Sequence, residues 1–374
     1  MSAMWTRAAR LAAPALALWL AACSADKPTP AALQPITPTI AGRQVWSTQI
    51  GSVSFPLQVA VRAGQFVVAS DDGTVAALDA ATGRELWRAQ VGARLSAGVG
   101  SDGRFAAVAT RDQQLVLLDG GAQRWSVPLE AGVVTPPLVA GERVFVLGVD
   151  RAVHAFDALD GRRLWTFRRP GDPLMLAHPG LLAAWQDTLL VGQGARLVAL
   201  DPLKGSLRWE VAVTSPRGTN EVERLADLAG PASRVGDSFC VRAFQNAVGC
   251  VNAATRSLQW SQNGGGQKAI GGDASIVVGA DASDRVTARQ RAGGGLAWTS
   301  ELLLNRGLSA PVVAGPAVVF GDFEGQLHFL AKDTGAPLLR LPTDGARIAA
   351  PLVLSDTNLL AVTAKGGVFA FRPE

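Results

Sequence analysis

The sequence predicts an all-β fold, an eight-bladed β-propeller whose blades are four-stranded antiparallel sheets. One hairpin pattern recurs along the chain: an apolar strand ends in Asp, a turn carries Thr-Gly, and a second strand places Trp eight residues after the Asp, as from Asp79 to Trp87. The Trp position of this second strand recurs at 46, 87, 125, 165, 209, 260, 298 and 339, where the last copy has Leu. Consecutive positions are 38 to 51 residues apart. A repeat of about 40 residues with strand-type content is typical of propeller blades.

The two ends of the chain predict how the ring closes. Trp46 lies in a Trp-type strand that no hairpin partner precedes, and the chain ends in a partner strand, 367–372, that no Trp strand follows. We therefore expect Val45 and Trp46 to pair with the strand at 368–371. This pairing would remove the exposed sheet edges that a linear stack of blades would leave.

Within each repeat the strands and turns have simple structural roles. The Asp-Gly turn at 71–74 lies between two apolar runs, which is a strong hairpin signal. The runs are apolar almost throughout rather than alternating, as expected of sheets that are covered on both faces by neighbouring blades. Asp79, Asp157 and Asp201 are predicted to bond the backbones of their own turns, so we do not consider them catalytic candidates.

The first forty residues predict export and anchoring. Arg7 and Arg10 precede an uncharged apolar stretch at 11–20, which is too short for a comfortable membrane span. The stretch ends in Leu-Ala-Ala-Cys, which resembles the bacterial lipobox and implies that Cys23 is acylated and becomes the first residue of the mature protein. Ser24 follows and, by the same resemblance, favours the outer membrane. A soluble secretory signal with a chance Cys is the alternative.

Three segments follow from this interpretation. Residues 1–22 are a lipoprotein signal peptide, 23–40 are the lipidated Cys and a Pro-rich tether, and 41–374 are the propeller. The tether contains prolines at 28, 30, 35 and 38, so it is expected to be extended rather than folded.

Composition and cysteines limit the class of protein. The formal charge is +4 without a Lys/Arg run, which disfavours nucleic acid as a partner.

Aligning the repeats places Cys240 and Cys250 at facing positions of one hairpin if the turn centres near Gln245, and the predicted compartment is oxidising, so they are a candidate disulfide. Two buried free thiols are the alternative. We find no CxxC motif or Cys/His cluster, so no metal site is predicted.

Two connections depart from the compact repeat, and such departures are where function tends to lie. One follows Trp165 and spans 168–178, and the other follows Trp209 and includes 218–228. Both join an outer strand to the inner strand of the next blade, so we expect them to be neighbours on one face. The first offers Leu174 and Leu176, and the second a carboxylate-rich strip. An apolar anchor beside charged groups indicates a protein-docking patch; ordinary surface loops are the alternative.

The lipobox, the Pro-rich tether and the repeated Asp-x-x-Thr-Gly-x-x-x-Trp hairpins together resemble the BamB family, the lipoproteins of the outer-membrane β-barrel assembly machinery. Residues 221–227 are similar to a Glu-x-Asp-Arg-Leu-Ser-Asp stretch of that family, and residues 321–328 to its Gly-Asp-x-Glu-Gly-x-Leu-His segment. The resemblance covers residues 20–374.

The resemblance implies a partner and the residues that bind it. Members of the family bind the periplasmic POTRA domains of BamA through a Leu-x-Leu-Arg loop and an Arg-Leu-Ser-Asp-x-Asp loop. By position, Leu174 and Leu176 match the two leucines, while Arg224 and Asp227 match the start of the second motif. Where the family has a loop Arg and a second Asp, this chain has alanines, at 177 and 229, so the apolar half of the contact is the half retained.

The expected function is therefore a non-enzymatic scaffold without a cofactor. It would be lipid-anchored at the periplasmic face of the outer membrane, bind BamA within the BAM complex and support insertion of β-barrel proteins, with unfolded outer-membrane proteins as candidate clients. A quinoprotein dehydrogenase using PQQ is the enzymatic alternative, but the chain has no adjacent Cys-Cys pair and only three His. A propeller that binds an envelope polymer is the third class.

Overall fold

The computed structural model describes residues 28–169, 175–216, 219 and 225–374. In these ranges the chain forms strands and turns and no helix, and the strands build eight four-stranded antiparallel sheets. None of the described residues belongs to a helix of the length and apolarity that crossing a membrane requires. The predicted eight-bladed, all-β propeller is confirmed.

Seven blades follow the chain order, and the eighth combines both ends of the chain. Blade 1 consists of β2 (Ala60–Arg62), β3 (Gln65–Ala69), β4 (Thr74–Asp79) and β5 (Glu85–Gln90), and blade 2 of β6 (Leu95–Ser101), β7 (Phe105–Thr110), β8 (Gln114–Asp119) and β9 (Ala122–Pro128). Blade 3 consists of β10 (Leu138–Ala140), β11 (Arg143–Leu147), β12 (Val153–Asp157) and β13 (Arg163–Phe167), and blade 4 of β14 (Leu182–Trp185), β15 (Thr188–Gln193), β16 (Arg196–Leu200) and β17 (Leu207–Ala212). Blade 5 consists of β18 (Leu228–Val235), β19 (Ser238–Ala243), β20 (Ala247–Asn252) and β21 (Ser257–Asn263), and blade 6 of β22 (Gly271–Gly272), β23 (Ile276–Ala280), β24 (Val286–Gln290) and β25 (Leu296–Ser300). Blade 7 consists of β26 (Val312–Ala314), β27 (Ala317–Gly321), β28 (Gln326–Ala331) and β29 (Pro337–Pro342), and blade 8 of β30 (Val353–Ser355), β31 (Asn358–Val362), β32 (Gly367–Pro373) and β1 (Gly42–Gln49).

The ring closes through the pairing that the chain ends predict. β1 pairs antiparallel with β32, and Trp46 faces Ala370 in the register. The first strand of each blade contacts the first strand of the next, including β2 against β30, so these strands surround a central axis. The fourth strands form the outer rim.

The two faces of the disc differ in what emerges from them. Because the strands of a blade alternate in direction, each link from an outer strand to the next inner strand emerges on the same face as the turn between the second and third strands. We call this the link face; it carries the described residues of the links 168–181 and 213–227. The Thr-Gly turns lie on the opposite face, the turn face.

The middle strands form the core, as their apolar runs predict. In β4 the residues from Thr74 to Leu78 are buried, and in β7 all six residues are buried. Phe66, Phe105 and Phe320 are at most 2% exposed. The predicted role of the turn aspartates is confirmed: Asp79 Oδ1 accepts hydrogen bonds from the amides of Ala81 and Thr82 at 3.1 and 2.9 Å. Asp157 and Asp201 accept equivalent bonds in their turns.

In six of the blades, the Trp ring of the fourth strand joins its blade to the next one. The Trp46 ring of blade 8 covers Gly83 in the Thr-Gly turn of blade 1, and its Nε1 donates to Ala80 O at 3.2 Å. The same ring-over-glycine contact recurs for Gly121, Gly161, Gly205, Gly294 and Gly335. The repeated Thr-Gly and Trp are therefore two halves of one contact between consecutive blades.

The Pro-rich segment before β1 is extended but lies against the propeller. Residues 28–41 contain no strand, as their prolines predict. The amide of Ala31 donates to Leu304 O at 2.9 Å and that of Thr39 to Leu338 O at 3.0 Å. Blade 7 thus holds a segment for which the sequence indicated no contacts.

Candidate partner-binding site

The two links that depart from the repeat lie side by side on the link face. The first, 168–181, runs from β13 to β14, and the second, 213–227, runs from β17 to β18. The amide of Gly230 donates to Pro179 O at 3.1 Å, and Gly180 forms an isolated antiparallel bridge with Ala229. Blades 3, 4 and 5 therefore share one continuous strip of surface.

Asp227 connects the two links. Its Oδ2 accepts a hydrogen bond from the amide of Leu176 at 2.9 Å, across 51 residues of sequence. Its Oδ1 accepts from Nη2 of Arg151 at 3.1 Å, and Arg151 lies in the turn between β11 and β12 of blade 3. The Asp227 side chain is only 12% exposed, so its carboxylate positions its neighbours and is largely inaccessible to a binding partner.

The backbone around Asp227 is fixed as well. Its carbonyl accepts from the amide of Phe244 at 3.0 Å, and the amide of Leu228 donates to Gly194 O at 3.1 Å. His178 packs its ring edge-on to Phe244 with 5.8 Å between centroids, and burial lowers the pKa of this histidine below its usual value. A neutral His178 is thus packed beside Phe244, and its amide donates to Leu176 O at 2.8 Å.

Ion pairs hold the start of the first link. Arg168 pairs with Glu130 at 2.8 Å and Arg169 pairs with Glu210 at 2.7 Å, which ties the link to blades on both sides. Further along, Met175 packs against the apolar cluster between blades 3 and 4. Leu176 is half-buried and Ala177 is exposed. The described part of the link is therefore held at both ends, and Met175 to Ala177 form a short apolar stretch that is partly exposed.

The structure describes only some of the predicted site residues. Leu176 and Asp227 are brought together, whereas Leu174, Arg224 and Cys23 lie outside the described residues. Arg151 was missed by sequence reasoning, because a single Arg in a short turn carries no motif and its contact with Asp227 spans 76 residues.

The position of the second family aspartate is buried in this chain. Ala229 is 1% exposed and faces Arg242 in the register of β18 and β19. Arg242 donates from Nη1 to Gly265 O, and burial lowers its pKa to about 10. Position 229 therefore lies in the interior beside Arg242 and not on the exposed surface of the link face.

The two cysteines of blade 5 form a structural element next to the site. Cys240 in β19 faces Cys250 in β20, and the two are joined by a disulfide. The turn between these strands spans 244–246 and includes Gln245 with φ 49°. Both cysteines are fully buried, so the disulfide braces the hairpin that supports Asp227 through Phe244.

The central axis opens on the link face into a cavity of about 380 Å³. Links from several blades line it, and its charged side chains include Lys268 and Arg347. Within the described ranges, no group of three or more His, Cys, Asp or Glu side chains could hold a metal ion. His178 and Pro179 of the first link line this cavity, so the cavity lies beside the strip around Leu176 and Asp227.

The fold defines a class of protein, the eight-bladed propellers built on a Trp-docked repeat. A family model described as outer membrane protein assembly factor BamB matches residues 71–300 and 282–374. A protein of that name from Burkholderia pseudomallei is 37% identical over 98% of both chains. Another, from Bordetella pertussis, is 32% identical over 93% of this chain and 91% of its own. The chain belongs to the BamB family.

Solved structures agree with this assignment. BamB from Moraxella catarrhalis superposes with a TM-score of 0.80 at 25% identity, covering 88% of this chain and 99% of its own. A quinohemoprotein alcohol dehydrogenase from Comamonas testosteroni superposes with a TM-score of 0.66 at 15% identity, covering 90% of this chain and 77% of its own. The second likeness shows the shared propeller fold alone.

Proposed function

We propose that this chain is a lipid-anchored, non-enzymatic scaffold of the outer-membrane β-barrel assembly machinery that binds the POTRA domains of BamA through the link face. Membership of the BamB family supports the general role. The observation that carries the binding surface is the Asp227 carboxylate, which binds both the Leu176 amide and Arg151 and so holds the backbone of the apolar residue Leu176 in place.

In this proposal Leu174 and Leu176 are the contact residues, with Arg224 beside them. Asp227 is a positioning residue, because its side chain is largely covered. Because the backbone of Leu176 is already held by Asp227, this residue loses little conformational entropy on binding, which favours affinity. Ala177, in the position of the family's loop Arg, leaves the apolar pair as the dominant contribution.

The leucines are tested by the double change Leu174→Ala/Leu176→Ala. Burying one Leu side chain stabilises an interface by about 1.5–3 kcal/mol, and about 1.4 kcal/mol corresponds to a factor of ten in affinity. We therefore expect the dissociation constant for purified BamA POTRA domains, measured by calorimetry, to rise by at least about tenfold. Leu203→Ala is the matched control, since Leu203 is 59% exposed on the turn face. Parent-like affinity of a folded double variant would rule out this surface.

The positioning role is tested by Asp227→Ala. Loss of the carboxylate removes the bond to the Leu176 amide, so we expect weaker POTRA binding together with faster hydrogen exchange at that amide. Asp112→Ala is the control, because Asp112 is an exposed carboxylate on the link face of blade 2. If binding weakened while the Leu176 amide kept its protection, Asp227 would be a direct contact and not a positioning residue.

The anchor is tested on the mature protein. We expect mass spectrometry to find Cys23 as the first residue with acyl chains attached, since several chains suffice for stable membrane attachment. An unmodified Ala or Ser terminus would contradict the anchor. PQQ-dependent dye reduction by the purified protein would contradict the non-enzymatic role.

A further inference from the structure

Residues 29–39 are held against blades 6 and 7 by contacts near both of their ends. At one end, Nδ2 of Asn305 donates to Thr29 O at 3.2 Å, and the amide of Ala31 donates to Leu304 O at 2.9 Å. At the other end, the amide of Thr39 donates to Leu338 O, in the outer strand β29, at 3.0 Å. Between them Leu33 packs against the apolar cluster shared by blades 6 and 7. The segment therefore combines backbone pairing with burial of a side chain.

Two arginines clamp the same segment. Arg306 donates from Nη1 to Ala31 O at 3.0 Å, and Arg340 donates from Nη1 to Gln34 O at 3.2 Å. Arg306 lies in the link between β25 and β26, and Arg340 lies in β29. Hydrogen bonds from a charged donor are stronger than neutral ones, so these two contacts are suited to hold a segment that has no strand of its own.

A buried network sets the orientation of both arginines. Asp322 Oδ2, which is fully buried, accepts from Nε of Arg306 at 2.8 Å and lies 2.9 Å from Nε2 of His328. Nε of Arg340 donates to Nδ1 of His328 at 3.4 Å, so the ring proton is on Nε2 and is donated to Asp322. Asp322 and His328 belong to the segment 321–328, so this segment positions the two clamps.

The clamped segment determines where the chain meets the disc. Its first described residues lie at Leu304 and Asn305, in a link that emerges on the link face, the face that also carries Leu176 and Asp227. From Cys23 to Pro28 there are five residue steps, which span at most about 17 Å. A free chain from Cys23 to Gly42 would instead reach roughly 65 Å.

We propose that residues 28–40 form a docked strap and that the link face at blades 6 and 7 is the surface that faces a phospholipid membrane. This inference rests on the proposed acylation of Cys23. Two large apolar side chains are exposed at this part of the link face, Leu302 at 49% and Phe323 at 39%. Apolar side chains at the point where a short anchor leaves the protein fit the polar–apolar boundary of a membrane.

Docking of the strap is tested by hydrogen exchange of the full mature protein. The amides of Ala31 and Thr39 should be protected in the parent. Leu33→Asp places a charge in the apolar cleft and should abolish that protection while the amides of the middle strands keep theirs. Leu207→Asp is the matched control, because Leu207 is 51% exposed on an outer strand. Unprotected Ala31 and Thr39 amides in the parent would overturn the strap.

Orientation is tested with the lipidated protein in vesicles of phosphatidylethanolamine and phosphatidylglycerol. A fluorophore is placed at Ser283→Cys on the link face of blade 6 or at Asp333→Cys on the turn face of blade 7, and energy transfer to a lipid acceptor is measured. Transfer should be higher from position 283, and Leu33→Asp should remove the difference. Equal transfer from both positions in the parent, or a difference that survives Leu33→Asp, would overturn the proposal.

The outcomes also separate the strap from the proposed function. If mass spectrometry shows no acyl chain on Cys23, the anchor and the membrane-facing surface both fail, whereas exchange at Ala31 and Thr39 still decides whether the strap exists. If BamA binding fails but energy transfer behaves as expected, the orientation holds and only the proposed partner is wrong.

Discussion

At the scale of single residues, the propeller depends on a contact that its repeat encodes in two separate places. The Trp of one blade covers the glycine in the Thr-Gly turn of the next blade, as Trp46 covers Gly83. A Cβ at position 83 would lie 2.5 Å from the Trp46 ring, and Gly83 has φ +71°. The glycine is thus required by both its conformation and its neighbour.

These two requirements can be separated by comparing Gly83→Ala with Gly64→Ala. Gly64 has φ +72°, but an added Cβ would meet no atom within 4 Å. A left-handed conformation costs an L-residue about 1–2 kcal/mol, and both variants bear this cost. Gly83→Ala must also displace the ring, for which overpacking costs about 1–3 kcal/mol more. Equal losses of unfolding free energy in urea would contradict a role for the ring contact.

At the scale of elements, the strands form a scaffold that is similar in all blades, whereas the links between blades differ from one another. Each blade contributes four strands of the same kind, whereas the described residues of the links 168–181 and 213–227 are joined through Asp227, which also binds Arg151. The strap is a further element without regular structure, and it depends on clamps from blade 7. Both irregular segments are held by hydrogen bonds to neighbouring links, turns and strands.

Ring closure is the element-scale property that is most directly testable. Deleting residues 366–374 removes β32 and leaves β1 and β31 with unpaired edges, so we expect a lower melting temperature and aggregation. Light scattering and calorimetry measure the two effects. A deletion variant that stays monomeric and melts like the parent would show that the β1–β32 pairing contributes little.

At the scale of the whole molecule, burial makes stability depend on pH. His154, His178 and His328 are all packed within the fold, and burial lowers the pKa of each below its usual value. The folded state therefore keeps these rings neutral, while the unfolded chain binds protons below pH about 6.5. The contribution of the neutral histidines to the free energy of unfolding is therefore fully present above that pH and is lost as the pH falls below it.

We accordingly expect the unfolding free energy to decrease between pH 7 and pH 5, by up to about 1.4 kcal/mol per pH unit for each histidine. Denaturant titrations at several pH values measure the slope. His328→Gln should reduce the slope even though it weakens the Asp322 network. A stability that is constant from pH 7 to pH 5 would mean that the histidines are protonated equally in both states.

The sequence by itself determined the number of blades, the closure of the ring and the facing positions of Cys240 and Cys250. These features follow from local chemistry: turn residues, apolar runs and a recurring spacing specify each hairpin, and similar hairpins stack in the same way. It also identified the two links that lie together on one face, because their positions in the repeat determine the face from which they emerge.

Only the tertiary structure decided that Arg151 and the Leu176 amide share the Asp227 carboxylate, and that the Pro-rich segment is docked instead of free. Arg340 and Gln34 are 306 residues apart, and Arg151 and Asp227 are 76 apart. Such contacts depend on how closing the ring places distant turns and links beside one another. A side chain's local sequence fixes the turn in which it lies, but its partner is set by the packing of the blades.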